Sequence, residues 1–362
     1  MDDGFQGIDI SFPSLENLCS MNENCKAHLR DYLVTMMEEE GNELACIVYD
    51  NVMFFADDVA TQLKVPSIVL RTFSAAFIHS TITIFQKPEK YFPFEDSQLL
   101  DPLPDLHPLR YKDVPFSEAE LEFHRAMYDI GSSVATIWNT MQDLESSMLL
   151  RLQEHYKVPF FPIGPFHKMA PLASSTSLLE EDNSCIEWLD RQTLNSVLYV
   201  SLGSLVRIDD KELIETAWGL ANSEQPFLWV IRPGSVSGFQ CAEALPDGYE
   251  EMVAERDQLV NARYLTQIYK VGFELEVMER TVIEKTIRKL MLSEEGKDVK
   301  KRVVGMKQNI VAGMQIGGTS HKNLKDLVDF ISALPSRLPP PTPVVGAIMS
   351  SNHTSSKCIR ES

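Results

Sequence analysis

The chain has 362 residues, of which 44% are hydrophobic and 23% charged, as expected for a folded globular protein long enough for two domains. Its formal net charge of −19 argues against nucleic acid and anionic membrane surfaces as partners, because both would be repelled. No apolar run approaches the roughly 18 residues of a membrane span, and the acidic start of the sequence leads us to expect no secretory signal. The cysteines form no C-x-x-C pair, so we expect a cytoplasmic protein without disulfides or a metal site.

The first part of the chain alternates between helix and strand patterns. Apolar residues at spacings of three and four predict a helix over Asn24–Glu39, and the continuous apolar run Leu44–Tyr49 predicts a strand buried on both faces. A helix over Phe54–Leu63 and a strand over Pro66–Leu70 follow with short connections. This order is the βαβ signature of a doubly wound parallel sheet.

The pattern then becomes less regular. We expect an irregular loop over Phe92–Pro115, then helices over Phe116–Ile130 and Leu144–His155 on either side of a short strand. The proline-rich stretch Val158–Pro165 is predicted to be a connector. It places the boundary between an N-terminal domain, residues 1–160, and a C-terminal domain, residues 161–333.

The C-terminal domain opens with a strand and ends in helices. Its predicted elements are a strand over Ser196–Ser201, a turn at Leu202–Ser204, a helix over Lys211–Ser223, a strand over Pro226–Ile231, and helices over Gln258–Lys270, Thr281–Met291, Lys297–Met314 and Leu324–Ile331. We expect the last helix to pack back on the N-terminal domain. Residues 334–362, rich in proline, serine and threonine, are predicted to form a disordered tail.

Several sequence blocks resemble, in order, the plant family-1 UDP-glycosyltransferases. They are Asn22–Cys25, Cys46–Asp50, Phe161–Pro165, Cys185–Asp190, Val197–Leu205, Phe227–Gly234, Leu245–Tyr249 and Val260–Tyr264. The resemblance implies an α/β protein with two Rossmann-like domains facing across a cleft, the GT-B type. It also implies transfer of a hexose, by analogy glucose, from a UDP-sugar to a hydroxyl of a small plant metabolite, with inversion. The implied protein is a monomer that needs no metal or cofactor beyond the UDP-sugar.

Asp50 matches the family's aspartate, which orients and stabilises a histidine that acts as the general base. It closes a predicted buried strand at the carboxyl end, where the sites of α/β sheets lie. An aspartate at this place can equally cap the next helix. None of the eight histidines has a context that matches the catalytic one, and we expect the chain to begin after the strand and helix that carry it. An aspartate alone is a poor base near neutral pH, because its ordinary pKa is about 3.9.

The resemblance implies four donor-binding residues. Gly203 and Ser204 match the strand-end turn that touches the diphosphate, although an ordinary turn would look the same. Asp257 and Gln258 match the last two residues of the plant secondary-product glycosyltransferase box, which bind the sugar hydroxyls. The rest of that box, with its base-stacking tryptophan and diphosphate-binding histidine, is missing before Asp257. The gap is also predicted to remove strands of the C-terminal sheet, so both domains are expected to be incomplete.

Aromatic residues are the candidates for the acceptor pocket: Phe54, Phe55, Phe73 and Phe77, although this spacing is also common in a core. Three hypotheses remain. The chain is a family enzyme with impaired or absent activity, a non-catalytic relative that binds a small molecule or a partner, or an incomplete gene product. The missing histidine and the missing donor box favour impaired catalysis.

Overall fold

A computed structural model describes residues 15–39, 44–114, 116–169, 184–203, 208–231 and 256–335. Within these ranges, no helix is long and apolar enough to cross a membrane. The predicted tail lies outside them, apart from its first two residues.

Four parallel strands form the sheet of the N-terminal half. They are β1 (Ile47–Asp50), β2 (Ser67–Arg71), β3 (Ala135–Trp138) and β4 (Phe160–Pro162), in the spatial order β1-β2-β3-β4. The register places Asp50 opposite Leu70, and Leu70 opposite Ile137. Because all four strands run in the same direction, their carboxyl ends meet at one edge of the sheet, where Asp50 lies.

The prediction of a connector over Val158–Pro165 is wrong at its centre, because Phe160–Pro162 form β4. This strand pairs with β3 in parallel, and the backbone N–H of Thr136 donates to the carbonyl of Pro159 at 3.0 Å. Proline is tolerated here because β4 is an edge strand, which needs its N–H groups on one side only. The first sheet therefore extends to Pro162.

The described part of the N-terminal half has six helices around this sheet. They are α1 (Leu15–Glu39), α2 (Phe55–Leu63), α3 (Ala75–Gln86), α4 (Leu121–Tyr128), α5 (Gln142–Tyr156) and the short α6 (Phe166–Met169). Helix α1 begins earlier than predicted. Helix α4 is shorter than the predicted helix over Phe116–Ile130, because Glu118–Glu120 form a separate 3-10 turn.

A smaller parallel sheet lies in the second half. It consists of β5 (Leu198–Ser201) and β6 (Phe227–Val230), with α7 (Ser184–Asp190) before it and α8 (Asp210–Asn222) between the strands. The remaining helices are α9 (Arg256–Arg263), which continues into a π-helical turn at Tyr264–Ile268, α10 (Arg280–Leu292), α11 (Glu294–Met314) and α12 (Thr319–Ser332).

Only one face of the smaller sheet is covered in the described part of the chain. Leu220 of α8 and Ile283 of α10 pack against Leu198 and the other inward side chains of the two strands. On the opposite face, Tyr199 is 64% and Val230 47% exposed. A parallel sheet normally buries both faces, whereas the described residues cover one face of this sheet.

Helix α12 lies against the first sheet. Its Leu327 packs with Ile137 and Phe161, and the Asn323 amide donates to the carbonyl of Pro162 at 3.0 Å. The Ser320 hydroxyl donates to the carbonyl of Gly164 at 2.8 Å. The C-terminal helix thus covers the β4 end of the N-terminal sheet.

Candidate active site at the carboxyl edge of the sheet

Asp50 stands where β1 ends and a 3-10 turn over Asn51–Met53 begins. Its Oδ1 accepts a hydrogen bond from the backbone N–H of Val52 at 3.0 Å, which is the capping role. Its Oδ2 accepts from the hydroxyl of Thr72, just beyond β2, at 3.4 Å. One oxygen therefore holds the turn, while the other reaches the edge where neighbouring strands end.

A buried asparagine, which the sequence patterns did not single out for a role, holds the same turn from α1. Asn22 is 6% exposed, and its Oδ1 accepts from the backbone N–H of Phe55 at 3.0 Å. Its Nδ2 donates to the carbonyl of Val52 at 2.8 Å. The predicted helix begins at Asn24, and only the earlier start of α1 at Leu15 places Asn22 on a buried helix face, where an amide needs partners.

The hydrogen bonds of Asp50 in the described part of the chain involve no histidine ring, although His124 of α4 lies among the aromatic residues nearby, with its ring stacked on Tyr128 at a centroid distance of 5.9 Å. The side chains of His28, His107, His155 and His167 are exposed on helices or loops. His79 is half-buried in α3, where burial and the nearby Arg151 lower its pKa. The hydrogen bonds of Asp50 go to Val52 and Thr72 rather than to one of these rings. That the chain lacks the catalytic base stays a prediction.

Three of the four predicted acceptor-pocket residues belong to one aromatic group. Phe73 and Phe77 stack with ring centroids 5.2 Å apart, and Tyr128 meets each of them edge-on at 5.8 Å. Phe54 lies at the margin of this group and contacts Phe123 at 6.4 Å. Tyr128 and Phe123, both on α4, were missed because α4 showed only a helical pattern.

Phe55 lies in a different place. It is 7% exposed and packs with Leu33 of α1 and Val59 of α2. Consecutive residues at a helix start point in different directions, so Phe54 and Phe55 cannot both face the same pocket. Phe77 is also almost fully buried, at 2% exposed, which leaves Phe54 and Phe73 as the accessible members of the group.

The predicted donor residues are described only in part. Gly203 follows β5 with a φ of +74°, a left-handed conformation that favours glycine, and its N–H donates to the Ser201 hydroxyl at 3.2 Å. Ser204 lies outside the described residues. Asp257 and Gln258 are in the first turn of α9, but their side chains also lie outside the described part.

Helix α9 is attached to the N-terminal half. The Ser74 hydroxyl, at the start of α3, donates to Asn261 Oδ1 of α9 at 2.6 Å. The guanidinium of Arg263 donates twice to the carbonyl of Pro108, at 3.0 and 3.1 Å. The helix that carries Asp257 therefore lies beside the segment that also supplies Thr72 to Asp50.

An ion-pair cluster strengthens this attachment. Glu274 accepts from Arg263 at 2.9 Å and from Arg110 at 2.5 Å, and Arg110 also binds the buried Asp113 at 2.9 Å. Burial alone would raise the pKa of Glu274, but the hydrogen bonds from Arg110 and Arg263 outweigh it and lower that pKa. The cluster ties the loop around Arg110 to residues that follow α9.

Within the described ranges, no group of three or more His, Cys, Asp or Glu side chains is arranged to hold a metal ion. The site consists of a strand-end carboxyl group, neighbouring hydroxyls and an aromatic surface. Such a set can orient a hydroxylated ligand through hydrogen bonds and stacking.

Comparison with known structures defines the class. A UDP-glucosyltransferase from Polygonum tinctorium capable of glucosylating indoxyl superposes with a TM-score of 0.70 at 23% identity, covering 92% of this chain and 85% of that one. Os79 from O. sativa in complex with UDP gives 0.69 at 19% identity, covering 91% and 88%. The parallel α/β architecture is that of GT-B glycosyltransferases, as predicted.

Sequence comparison defines the family. The profile described as "UDP-glucoronosyl and UDP-glucosyl transferase" matches residues 10–237. UDP-glycosyltransferase 76E1 of Solanum lycopersicum is 75% identical over 416 residues, covering 100% of this chain and 88% of the relative. UDP-glycosyltransferase 76H1 of Stevia rebaudiana is 39% identical over 379 residues, covering 90% and 89%. The chain belongs to the UDP-glycosyltransferases of plant secondary metabolism, which confirms the predicted family.

Proposed function

We propose that the N-terminal half of this chain binds a small hydroxylated plant metabolite, and that transfer of a hexose to it from a UDP-sugar is impaired or absent. The intact reaction would move glucose to the acceptor hydroxyl with inversion, without a metal, in a cytoplasmic monomer. Two relatives support these substrate classes. One is a flavonol 3-O-glucosyltransferase of Arabidopsis thaliana, 35% identical over 381 residues, and the other a Phytolacca americana enzyme complexed with UDP-2fluoro-glucose and pterostilbene.

The observation that carries the proposal is the small size of the donor half. Strand β6 ends at Val230 and α9 begins at Arg256. A βαβ unit takes about 30 or more residues, and the interval between Val230 and Arg256 is shorter than that. The alignment with the tomato relative spans 416 positions against 362 residues here, which leaves at least 54 positions of that relative without a counterpart.

The acceptor side supports binding. Phe54 and Phe73 are partly exposed beside a packed aromatic group, and Asp50 and Thr72 supply polar groups at the same sheet edge. Flat phenolic molecules pack well against aromatic rings, and a hydroxyl can hydrogen-bond a carboxyl group. Catalysis needs more, because a carboxyl group without an imidazole is a weak base for an acceptor hydroxyl.

Two measurements on the purified chain test the proposal. The thermal unfolding midpoint should not rise in excess UDP-glucose. A functional donor site, with UDP-glucose at about 100 times its Kd, would instead add about 2.7 kcal/mol to the unfolding free energy. Titration with the flavonol quercetin should show saturable quenching of intrinsic fluorescence. Phe73→Ala should weaken that binding, while Phe94→Ala, in the loop before α4, serves as a matched aromatic control.

Turnover settles the catalytic half of the proposal. UDP release with UDP-glucose and quercetin should stay at the level of a blank. Release at rates common for enzymes, about 1 per second or faster, would overturn impaired catalysis. Absence of saturable flavonol binding in a cooperatively folding chain would overturn the acceptor-binding part.

A further inference from the structure

A cavity with lining residues other than those of the candidate active site lies between the start of α5 and α11. Its volume is about 800 Å³, within the range of roughly 300 to 1,000 Å³ that small-molecule pockets occupy. The start of α5, the segment Tyr269–Val271, one face of α11 and the start of α12 enclose it. None of the predicted catalytic, donor or acceptor residues is among the described residues of its lining.

The body of the cavity is apolar. Leu144 of α5 and Val271 line it from one side, and Met306 and Ile310 line it from α11. The ring of Tyr269 is fixed because its hydroxyl donates to the carbonyl of Leu144 at 3.1 Å. The cavity thus offers a firm apolar surface suited to an aromatic or aliphatic body.

One charged group at the cavity has donors to spare. Arg302 of α11 uses Nε to bind the carbonyl of Lys270 at 2.6 Å, which holds the side chain in place. Its Nη groups have no further hydrogen bond or ion pair among the described residues. A guanidinium in this state matches a carboxylate or another planar anion.

A negatively charged side chain, Asp143, lines the end of the cavity opposite Arg302. Asp143 accepts from the Thr319 hydroxyl at 2.9 Å and lies 3.7 Å from the place of a Cβ on Gly313. Arg302 and Gly313 are eleven residues apart on α11, which is about 16 Å along the helix. The Asp143 charge therefore does not cancel the attraction of Arg302 for an anion.

Gly305 leaves space in the middle of the α11 face that lines the cavity. A Cβ built on it would meet nothing within 4 Å, although the residue lies inside α11 and lines the cavity. Glycine inside a helix costs about 0.5–1 kcal/mol relative to alanine. A larger side chain at this position would therefore fill cavity space without breaking the helix.

We propose that this cavity is a binding site for a small amphipathic organic acid, with its apolar body between α5 and α11 and its single anionic group on Arg302. The ligand contacts both halves of the chain, because α5 is one of the helices around the first sheet and α11 follows the second sheet in the chain. The proposal does not depend on glycosyl transfer, so inactive protein serves equally well for its test.

The test is isothermal titration of the whole chain with naphthoate, a flat apolar acid, and with naphthylmethanol, its uncharged analogue. We expect saturable binding of one naphthoate per chain. Arg302→Gln should weaken naphthoate binding about tenfold, because a charge-assisted hydrogen bond is lost, and leave naphthylmethanol unchanged. Lys307→Gln, which removes an equal charge from the same helix outside the cavity, should change neither.

The variant Gly305→Leu tests the same proposal independently. It should abolish binding of both probes while leaving the thermal unfolding midpoint equal or higher. Binding that Gly305→Leu leaves intact, or binding that Arg302→Gln and Lys307→Gln weaken equally, would overturn the proposal, as would no saturable binding at all. Should Gly305→Leu lower the midpoint, the comparison of the two probes with Arg302→Gln decides by itself.

Discussion

Glu145 joins the start of α5 to the start of α3, and its replacement tests how the candidate site is held. Its two carboxyl oxygens accept from the backbone N–H groups of Ala75 and Ala76, each at 3.0 Å. One of them also accepts from the Thr140 hydroxyl at 2.6 Å. Glu145 is 7% exposed, so water has little access to replace these bonds. Helix α3 directly follows the segment that contacts Asp50.

Glu145→Ala leaves two N–H groups and one hydroxyl buried without this partner. Each unsatisfied buried donor costs about 1–3 kcal/mol. The Thr140 hydroxyl can rotate to another acceptor, whereas the two N–H groups are fixed by the backbone of α3. We therefore expect a loss of about 4 kcal/mol, a large part of the about 5–15 kcal/mol that stabilises a typical protein. Glu145→Gln should lose less, because its amide oxygen still accepts one bond.

Urea unfolding followed by circular dichroism measures this loss as a change in unfolding free energy. Glu154→Ala is the matched control, since Glu154 is exposed on the same helix and should change stability by no more than about 0.5 kcal/mol. A loss below about 1 kcal/mol for Glu145→Ala would refute the reasoning, because three buried donors would then have found other partners.

Two further predictions concern ion pairs made by glutamates of the second half. The hydrogen bonds from Arg280 lower the pKa of Glu215 from 4.5 to about 2, so its stabilising effect is present above pH 4.5 and disappears as the pH falls toward 2. The stability difference between wild type and Glu215→Gln should shrink across that interval in urea titrations; a constant difference would contradict this. Glu274→Gln removes one of the two carboxylates that Arg110 and Arg263 share, the other being Asp113, and should cost about 1–2 kcal/mol. Its melting temperature should depend on salt less than that of the wild type, and equal salt dependence would contradict the prediction.

Local pattern determined much of the first sheet. The apolar runs at Leu44–Tyr49 and Pro66–Leu70 indicated β1 and β2, because strands buried on both faces need continuous apolar residues. The position of Asp50 at the carboxyl edge followed from the same pattern, since a parallel strand must end at that edge. The ordered blocks of the sequence were sufficient to identify the family and the GT-B fold.

Other features depended on which distant residues meet. Only pairing with β3 made Phe160–Pro162 an edge strand, because the prolines alone indicated a connector. Only the three-dimensional direction of the side chains shows that Phe55 packs against α1 whereas Phe73 belongs to the aromatic group.

Contacts between residues far apart in the chain were beyond any local pattern. Glu274 meets Arg110 across 164 positions of the chain, so no periodicity or spacing could reveal the pair. The cavity beside Arg302 arises where α5 and α11 approach each other. The sequence by itself determined the family and most of the order of strands and helices, apart from β4 and the short helices α6 and α7, because these depend on neighbouring residues. The tertiary structure decided the partners of each side chain, because those depend on packing between distant parts of the chain.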